Sequence, residues 1–347
     1  MFEINLTKEN SKIMGRHVIK DGTLYLSFSA AYVEFVTASS KVYASIRTDL
    51  SGHPTDEGNI GIFINGEYVK RIALDEPNKE YLIYESDKNE KVTIRIMRLS
   101  ETKFGKVAID KIICDKEIAL TEYRERRIEF IGNSITCGYG VEAENELCHF
   151  TTATENPIYA FAYLTAEKLD ADLNLISWSG NGILTHYIPE DINEKDDSYP
   201  LMHTVYEMQD VAGEEFIGLE KETKNDFNSF NPQIVVINIG TNDDSYVRNY
   251  EDRLQEFTDG FYKFLSMVAS HRPNSKLVVT YGVMSRNVMS AEKKVVEMLK
   301  AEGVDIHFVE IEVQKGAEDG MGADYHPSKI TQRKMADAVT EKIKALI

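Results

Sequence analysis

From residue 23 to about residue 114, apolar and β-branched positions come in short runs separated by turn residues. Residues 23–28, 31–36 and 41–47 are rich in β-branched and aromatic side chains. Residues 92–96 alternate with period two, which predicts a strand with one buried and one wet face. The apolar residues 60–64 run into Asn65-Gly66 and then into residues 67–69. An Asn-Gly pair between such runs predicts a tight hairpin, because both residues tolerate positive φ. Residues 107–113 repeat the theme. About seven strands without a helix-periodic stretch predict an antiparallel sandwich of the jelly-roll kind, over residues 1–120. Its aromatics, including Tyr25, Phe28, Tyr32, Tyr43 and Tyr81, are read mostly as core. The segment 115–127, ending in Arg124-Glu125-Arg126-Arg127, reads as a solvated crossing into a second domain, residues 121–347.

In that second domain the pattern alternates. Strand-like runs fall at 128–131, 173–177, 234–239, 277–280 and 307–311. Asn156-Pro157 predicts a helix start, an N-cap followed by proline at the first position, with Ile158, Phe161, Thr165 and Leu169 on one face. Leu254, Phe257, Phe261, Phe264, Leu265 and Val268 keep helical spacing across residues 250–271. Val295, Val296 and Leu299 mark another helix, and Met335, Val339 and Ile343 a last one from about Ser328. Strands alternating with helices predict a three-layer α/β domain. Binding sites in such sheets form beyond the carboxyl ends of the strands. Residues 189–228 are long, acidic and irregular, and are expected to form a loop near the crevice mouth.

Four stretches that share this position carry chemistry. Ser134 sits where the run 128–131 gives way to small and polar residues. A serine at a strand end can hold Oγ in the open while nearby backbone N–H groups face an oxyanion; the alternative is an ordinary turn built from Gly, Asn and Ser. Ser179-Gly180-Asn181-Gly182 ends another strand, and the glycine allows close approach and a free N–H. Gly240-Thr241-Asn242-Asp243 ends the central one, where the Asn242 amide can donate to a developing oxyanion. His326 lies on a loop between Asp324 and Pro327, ahead of the last helix. Together these supply a nucleophile (Ser134), oxyanion donors (Ser134, Gly180, Asn242) and a base (His326) with an orienting acid (Asp324). That set is what acyl transfer through a covalent serine ester requires.

With these motifs in view, the chain resembles the SGNH (GDSL-type) hydrolases, and specifically the family 2 carbohydrate esterases. The four residues naming the superfamily fall on Ser134, Gly180, Asn242 and His326, in the stretches GNSITCGYG, SWSGNGI, INIGTND and DYHPS. The resemblance implies a jelly-roll domain before a flavodoxin-like catalytic domain. It also implies removal of acetyl groups from plant polysaccharides or oligosaccharides, xylan or mannan type, with no metal and no cofactor. Two departures stand out. Asn133 replaces the usual acid of the first motif, and Ala323 holds the place three residues before the histidine, with Asp324 two before. If residues 324–326 are extended, the Asp324 carboxylate faces Nδ1 of His326; otherwise a backbone carbonyl holds that proton. Tyr139, Trp178 and Tyr325 lie beside the motifs and are candidates to stack on a sugar ring, with core packing as the alternative for the tryptophan.

Composition narrows the partners. The formal net charge of −18 argues against nucleic acid or an anionic membrane surface. No apolar run approaches the roughly 20 residues that span a bilayer. The first residues lack a basic segment followed by an apolar one, and the three cysteines are too irregular for a disulfide framework. The expectation is a cytoplasmic protein acting on an acetylated oligosaccharide, with a homo-oligomer left open. His149, His186 and His203 show no metalloprotease spacing. Two other readings remain at this stage. One is a carbohydrate-binding protein with an inactive α/β domain; the other is a short-chain lipid or thioester hydrolase of the same superfamily.

Overall fold

The computed structural model describes residues 1–50, 55–88 and 90–347. They divide into two units, one built on residues 1–124 and one on the remainder of the chain, except that residues 151–155 and 209–223 fold with the first.

The first unit is a sandwich of two six-stranded sheets. One sheet runs His17–Lys20, Thr23–Leu26, Val107–Cys114, Lys41–Arg47, Asn78–Glu85, with Phe2–Ile4 also paired to Val107–Cys114. The other runs Ile118–Leu120, Tyr32–Thr37, Val92–Arg98, Asn59–Ile64, Glu67–Ala73, with Lys12–Met14 paired to Tyr32–Thr37. Val33, Phe35, Ile94 and Ile96 meet Leu24, Val42, Ile46 and Ile109 in the core between them. The predicted hairpin is present: Asn65 and Gly66 take φ of 51° and 85°, and the flanking strands pair antiparallel. The sheets hold more strands than expected. Phe2–Ile4, Lys12–Met14 and Ile118–Leu120 have only three residues each, too few to show a period, and pairing with a longer neighbour defines them.

The stretch 189–228 is not simply a loop at a crevice. It contains the helices Met202–Glu207 and Glu214–Ile217, and its part 209–223 belongs to the sandwich unit. There Ile217, Phe216 and Leu219 pack on Val18, Tyr25 and Ala108. The acidic residues around this apolar trio had disguised a buried anchor as a surface loop. The shorter inserted segment is held by Arg71, which donates to the carbonyls of Thr152 (3.1 Å), Ala153 and Glu155 (2.8 Å).

The second unit carries five parallel strands: β1 Arg126–Gly132, β2 Ala171–Ser177, β3 Ile234–Asn238, β4 Lys276–Tyr281 and β5 Ile306–Glu310. Their order is β2-β1-β3-β4-β5, the flavodoxin-like arrangement with its switch point between β1 and β3. β2 and β3 are buried throughout, as expected of strands covered on both faces. The long helix Glu251–His271 buries the predicted Phe257, Phe261, Phe264, Leu265 and Val268. Asn156 caps only a single 3₁₀ turn, Pro157–Tyr159. The helix itself, Phe161–Lys168, starts after an extended Ala160, and the Phe161 N–H is taken by Gln332 Oε1 at 2.8 Å. Glu129, on β1 and fully buried, accepts from Arg272 Nε and Nη2 (3.0 and 2.7 Å), Tyr206 Oη (2.8 Å) and Asn174 Nδ2 (2.7 Å). These four donors compensate its charge and tie the end of the long helix to β1. No helix among the described residues is long and apolar enough to cross a membrane.

Candidate active site

Ser134 opens the one-turn helix Ser134–Cys137 directly beyond β1. Asn133 caps that turn, its Oδ1 accepting from the Ile135 N–H at 3.2 Å. The asparagine thus does the capping an aspartate would do, without its charge. Ser134 is 6% exposed, and its Oγ lies 2.9 Å from Nε2 of His326.

His326 reaches the serine from a loop pinned to the Ser134 segment. The Ala323 N–H donates to Gly140 O at 3.0 Å, and the Asp324 N–H to Cys148 O at 3.1 Å. Gly140 has φ +57°, and a Cβ there would overlap Ala323, so only glycine admits the loop this closely. Nδ1 of His326 lies 3.1 Å from the Asp324 carbonyl and 3.2 Å from the Ala323 carbonyl. Both are acceptors only, so Nδ1 carries the proton and Nε2 is left to accept one from Ser134. Burial pushes this imidazole down to about 4, against the two carbonyls and the Asp324 charge, which favour its protonated form. The ring is therefore neutral, and available as a base, at neutral pH.

Asp324 is not the orienting acid. Asp324 and Tyr325 both take left-handed backbone, φ 49° and 62°, so the stretch is not extended and the aspartate side chain turns away from the histidine. Its carboxylate accepts from Tyr139 Oη at 2.9 Å and the Phe150 N–H at 3.1 Å, and lies 3.3 Å from His149 Nδ1. Burial alone would raise this carboxyl; the contacts with Tyr139, His149 and Phe150 outweigh it and hold it below its ordinary value. Two consecutive non-glycine residues in left-handed conformation are rare outside functional sites, and these contacts are what hold them.

The oxyanion candidates lie beyond neighbouring strands. Trp178 N–H donates to Gly132 O at 3.2 Å, which locks the turn after β2 to the end of β1. Asn242, in the helix Thr241–Val247 beyond β3, donates through Nδ2 to Asn181 O at 2.7 Å. One amide hydrogen is thereby used to position the side chain, and the other remains. Among the described residues, the N–H groups of Ser134 and Gly180 donate to no protein acceptor. Asp243 supports the same turn, accepting from the N–H groups of Ile183 (2.9 Å) and Leu184 (2.7 Å). Burial raises its carboxyl to about 6 even against these donors.

Residues 128–339 match the GDSL-like lipase/acylhydrolase family, and residues 13–123 match the carbohydrate esterase 2 N-terminal family. The chain belongs to the GDSL-like hydrolases and, among them, to the family 2 carbohydrate esterases. It is 32% identical over 235 residues to the cellulase/esterase CelE of Acetivibrio thermocellus, covering 66% of this chain and 26% of that protein. The chain thus spans about a quarter of the length of that relative. It is 28% identical over 282 residues to an acetylxylan esterase / glucomannan deacetylase of Cellvibrio japonicus, covering 74% of this chain and 70% of that one. A family two carbohydrate esterase from Clostridium thermocellum, solved in complex with cellohexaose, superposes with a TM-score of 0.85 at 26% identity, over 97% of this chain and 98% of that one.

In this family 2 esterase the aromatic candidates separate. Tyr139 cannot stack on a sugar, because His326 covers one face and Phe150 the other, each with ring centroids 4.1 Å away. Trp178 is buried at 6% exposure and packs on Tyr199. Tyr325 is 56% exposed and remains available. Tyr199 was missed: it is 38% exposed, stacks on His186 at 3.5 Å, and its hydroxyl stands beside Gly180. It lies in the irregular acidic stretch, where no motif or period draws attention to it. Asp243 was legible only as a turn residue, although it adjoins Asn242 in the same motif.

Proposed function

We propose that this carbohydrate esterase removes O-acetyl groups from hemicellulose-derived oligosaccharides, of xylan or mannan type, with a Ser134–His326 dyad. The observation that carries the reading is the 2.9 Å contact between Ser134 Oγ and His326 Nε2, with Nδ1 held by backbone carbonyls. Oγ attacks the acetyl carbonyl while its proton passes to Nε2. The carbonyl π electrons move onto oxygen, where the N–H groups of Ser134 and Gly180 and the Asn242 amide stabilise the oxyanion. Collapse breaks the acetyl–oxygen bond to the sugar, and the imidazolium returns its proton to that leaving oxygen. Water, deprotonated by Nε2, then attacks the acetyl-serine; collapse breaks the acyl–Oγ bond, the imidazolium returns its proton to Oγ, and acetic acid leaves and ionises to acetate. The names of the Cellvibrio japonicus relatives support a xylan or glucomannan substrate. The exposed Tyr325 and Tyr199 are suited to line the sugar path. The irregular spacing of the three cysteines in the sequence supports a reducing, cytoplasmic compartment.

The test has two arms. Release of 4-nitrophenol from its acetate ester should fall by several powers of ten in Ser134→Ala; near-parental turnover in the folded variant would remove Ser134 as nucleophile. Mass spectrometry of acetylated xylo- and manno-oligosaccharides before and after treatment should show the stepwise loss of acetyl groups. Loss of acetyl from neither series would reject the substrate class.

A further inference from the structure

A catalytic serine passes its proton to the histidine, and the imidazolium that forms needs a compensating charge. In a full triad a carboxylate on Nδ1 supplies it. Here, among the described residues, Nδ1 meets only the carbonyls of Asp324 and Ala323. What covers the imidazole instead is the face of Tyr139, with ring centroids 4.1 Å apart and planes 29° apart. Phe150 backs the other face of Tyr139 at 4.1 Å and 22°, so the ring cannot tilt away. The phenol donates to Asp324 Oδ2 at 2.9 Å. Hydrogen-bonding a phenol to an ionised carboxylate draws its proton outward and leaves more electron density on the ring.

We propose that Tyr139 is a positioning residue that stabilises the protonated His326 through its ring face, with Asp324 acting on the histidine through the phenol rather than directly. This rests on the assignment of Ser134 and His326 made above. A cation over an aromatic face gains electrostatically from the ring quadrupole, and gains most where water is excluded. The neutral imidazole of the resting enzyme draws much less from the same contact, so the stabilisation is realised mainly in the transition states that carry the charge. Both acylation and deacylation pass through an imidazolium, so either step, when rate-limiting, reports the effect. The sequence placed Tyr139 beside the motif as a sugar platform; the geometry points to a different use of the same ring.

Ring electronics can be changed with little change of shape. Position 139 is filled in turn with tyrosine, phenylalanine and mono-, di- and trifluorinated phenylalanines, and hydrolysis of 4-nitrophenyl acetate is followed at saturating and limiting substrate. Tyr139→Phe should lower kcat by roughly 2- to 10-fold, since it cuts the link to Asp324. Successive fluorination should lower kcat further, by roughly 3- to 30-fold over the series, with KM unchanged. Packing alone would give no such gradient, because the rings are nearly isosteric; circular dichroism and thermal melting verify that each variant is folded. A kcat that stays flat from phenylalanine to its trifluorinated form overturns the proposal. Ser134→Ala and His326→Ala, run alongside, keep the two ideas apart. If both are inactive while the fluorine series is flat, only the role of Tyr139 falls; if either keeps parental activity, the dyad itself falls.

Discussion

In the proposed mechanism His326 sets the working pH of the site. Its imidazole is lowered from 6.5 to about 4, chiefly by burial. In that mechanism the neutral form is the base, so a lowered value keeps it available in mildly acidic solution. We predict that the acid limb of the kcat/KM profile has its midpoint well below 6.5, approaching 4; a limb near 6.5 would mean the histidine is solvated in the working enzyme. The same shift affects folding. Between 6.5 and about 4 the unfolded chain binds this proton and the folded chain does not, so the histidine lowers stability as the pH falls through that window. Asn242 acts at the same scale. With one amide hydrogen spent on Asn181 O, the other should serve the tetrahedral intermediate. Asn242→Ala is expected to lower kcat by roughly 10²–10³ with little change in KM, and a change confined to KM would reassign it to substrate binding.

Between elements, the site depends on how closely the histidine loop approaches the segment after β1. Gly140 carries that approach. A methyl group there meets Ala323, at a φ of +57° that alanine tolerates poorly. Moving the loop by about 1 Å should misalign Nε2 and Oγ, so Gly140→Ala is expected to lose roughly 10²-fold in kcat while the fold persists. An active variant would show that the loop can yield. In the middle of β1, the buried Glu129 pairs with Arg272 and joins the long helix to the sheet. Arg272→Ala leaves a carboxylate that Tyr206 and Asn174 cannot compensate alone. A loss of roughly 3–5 kcal/mol in urea unfolding is expected.

At the level of the molecule, the chain folds as two units whose membership does not follow chain order. Phe216, Ile217 and Leu219 come from the second half of the sequence but pack on Val18, Tyr25 and Ala108 of the sandwich. Expressed alone, residues 125–347 would expose that trio. We predict an aggregation-prone or poorly folded fragment, judged by gel filtration and circular dichroism against the full chain. A monomeric, fully folded and active fragment would show that the packing of 209–223 on the sandwich is dispensable.

Whatever depends on local pattern was readable in the chain. The alternating and continuous apolar runs marked the long strands of both units, the Asn65-Gly66 hairpin followed from positive φ, and the spacing of Phe257, Phe261, Phe264 and Val268 marked the longest helix. Ser134, Gly180, Asn242 and His326 could be singled out because each sits in a motif at a strand end or before a helix. What the chain order hid were contacts between residues far apart in sequence or against local expectation. Asp324 lies two residues before His326, yet a pair of left-handed residues sends its carboxylate to Tyr139, nearly two hundred positions earlier. Tyr139 was a candidate sugar platform until packing enclosed it, Trp178 took the core alternative, and Tyr199 looked like loop until it stood beside Gly180. A side chain's type and spacing decide what it can do, and both are local. Which face is covered, and which atom meets its partner, is decided by long-range packing and by backbone angles that no period in the sequence encodes.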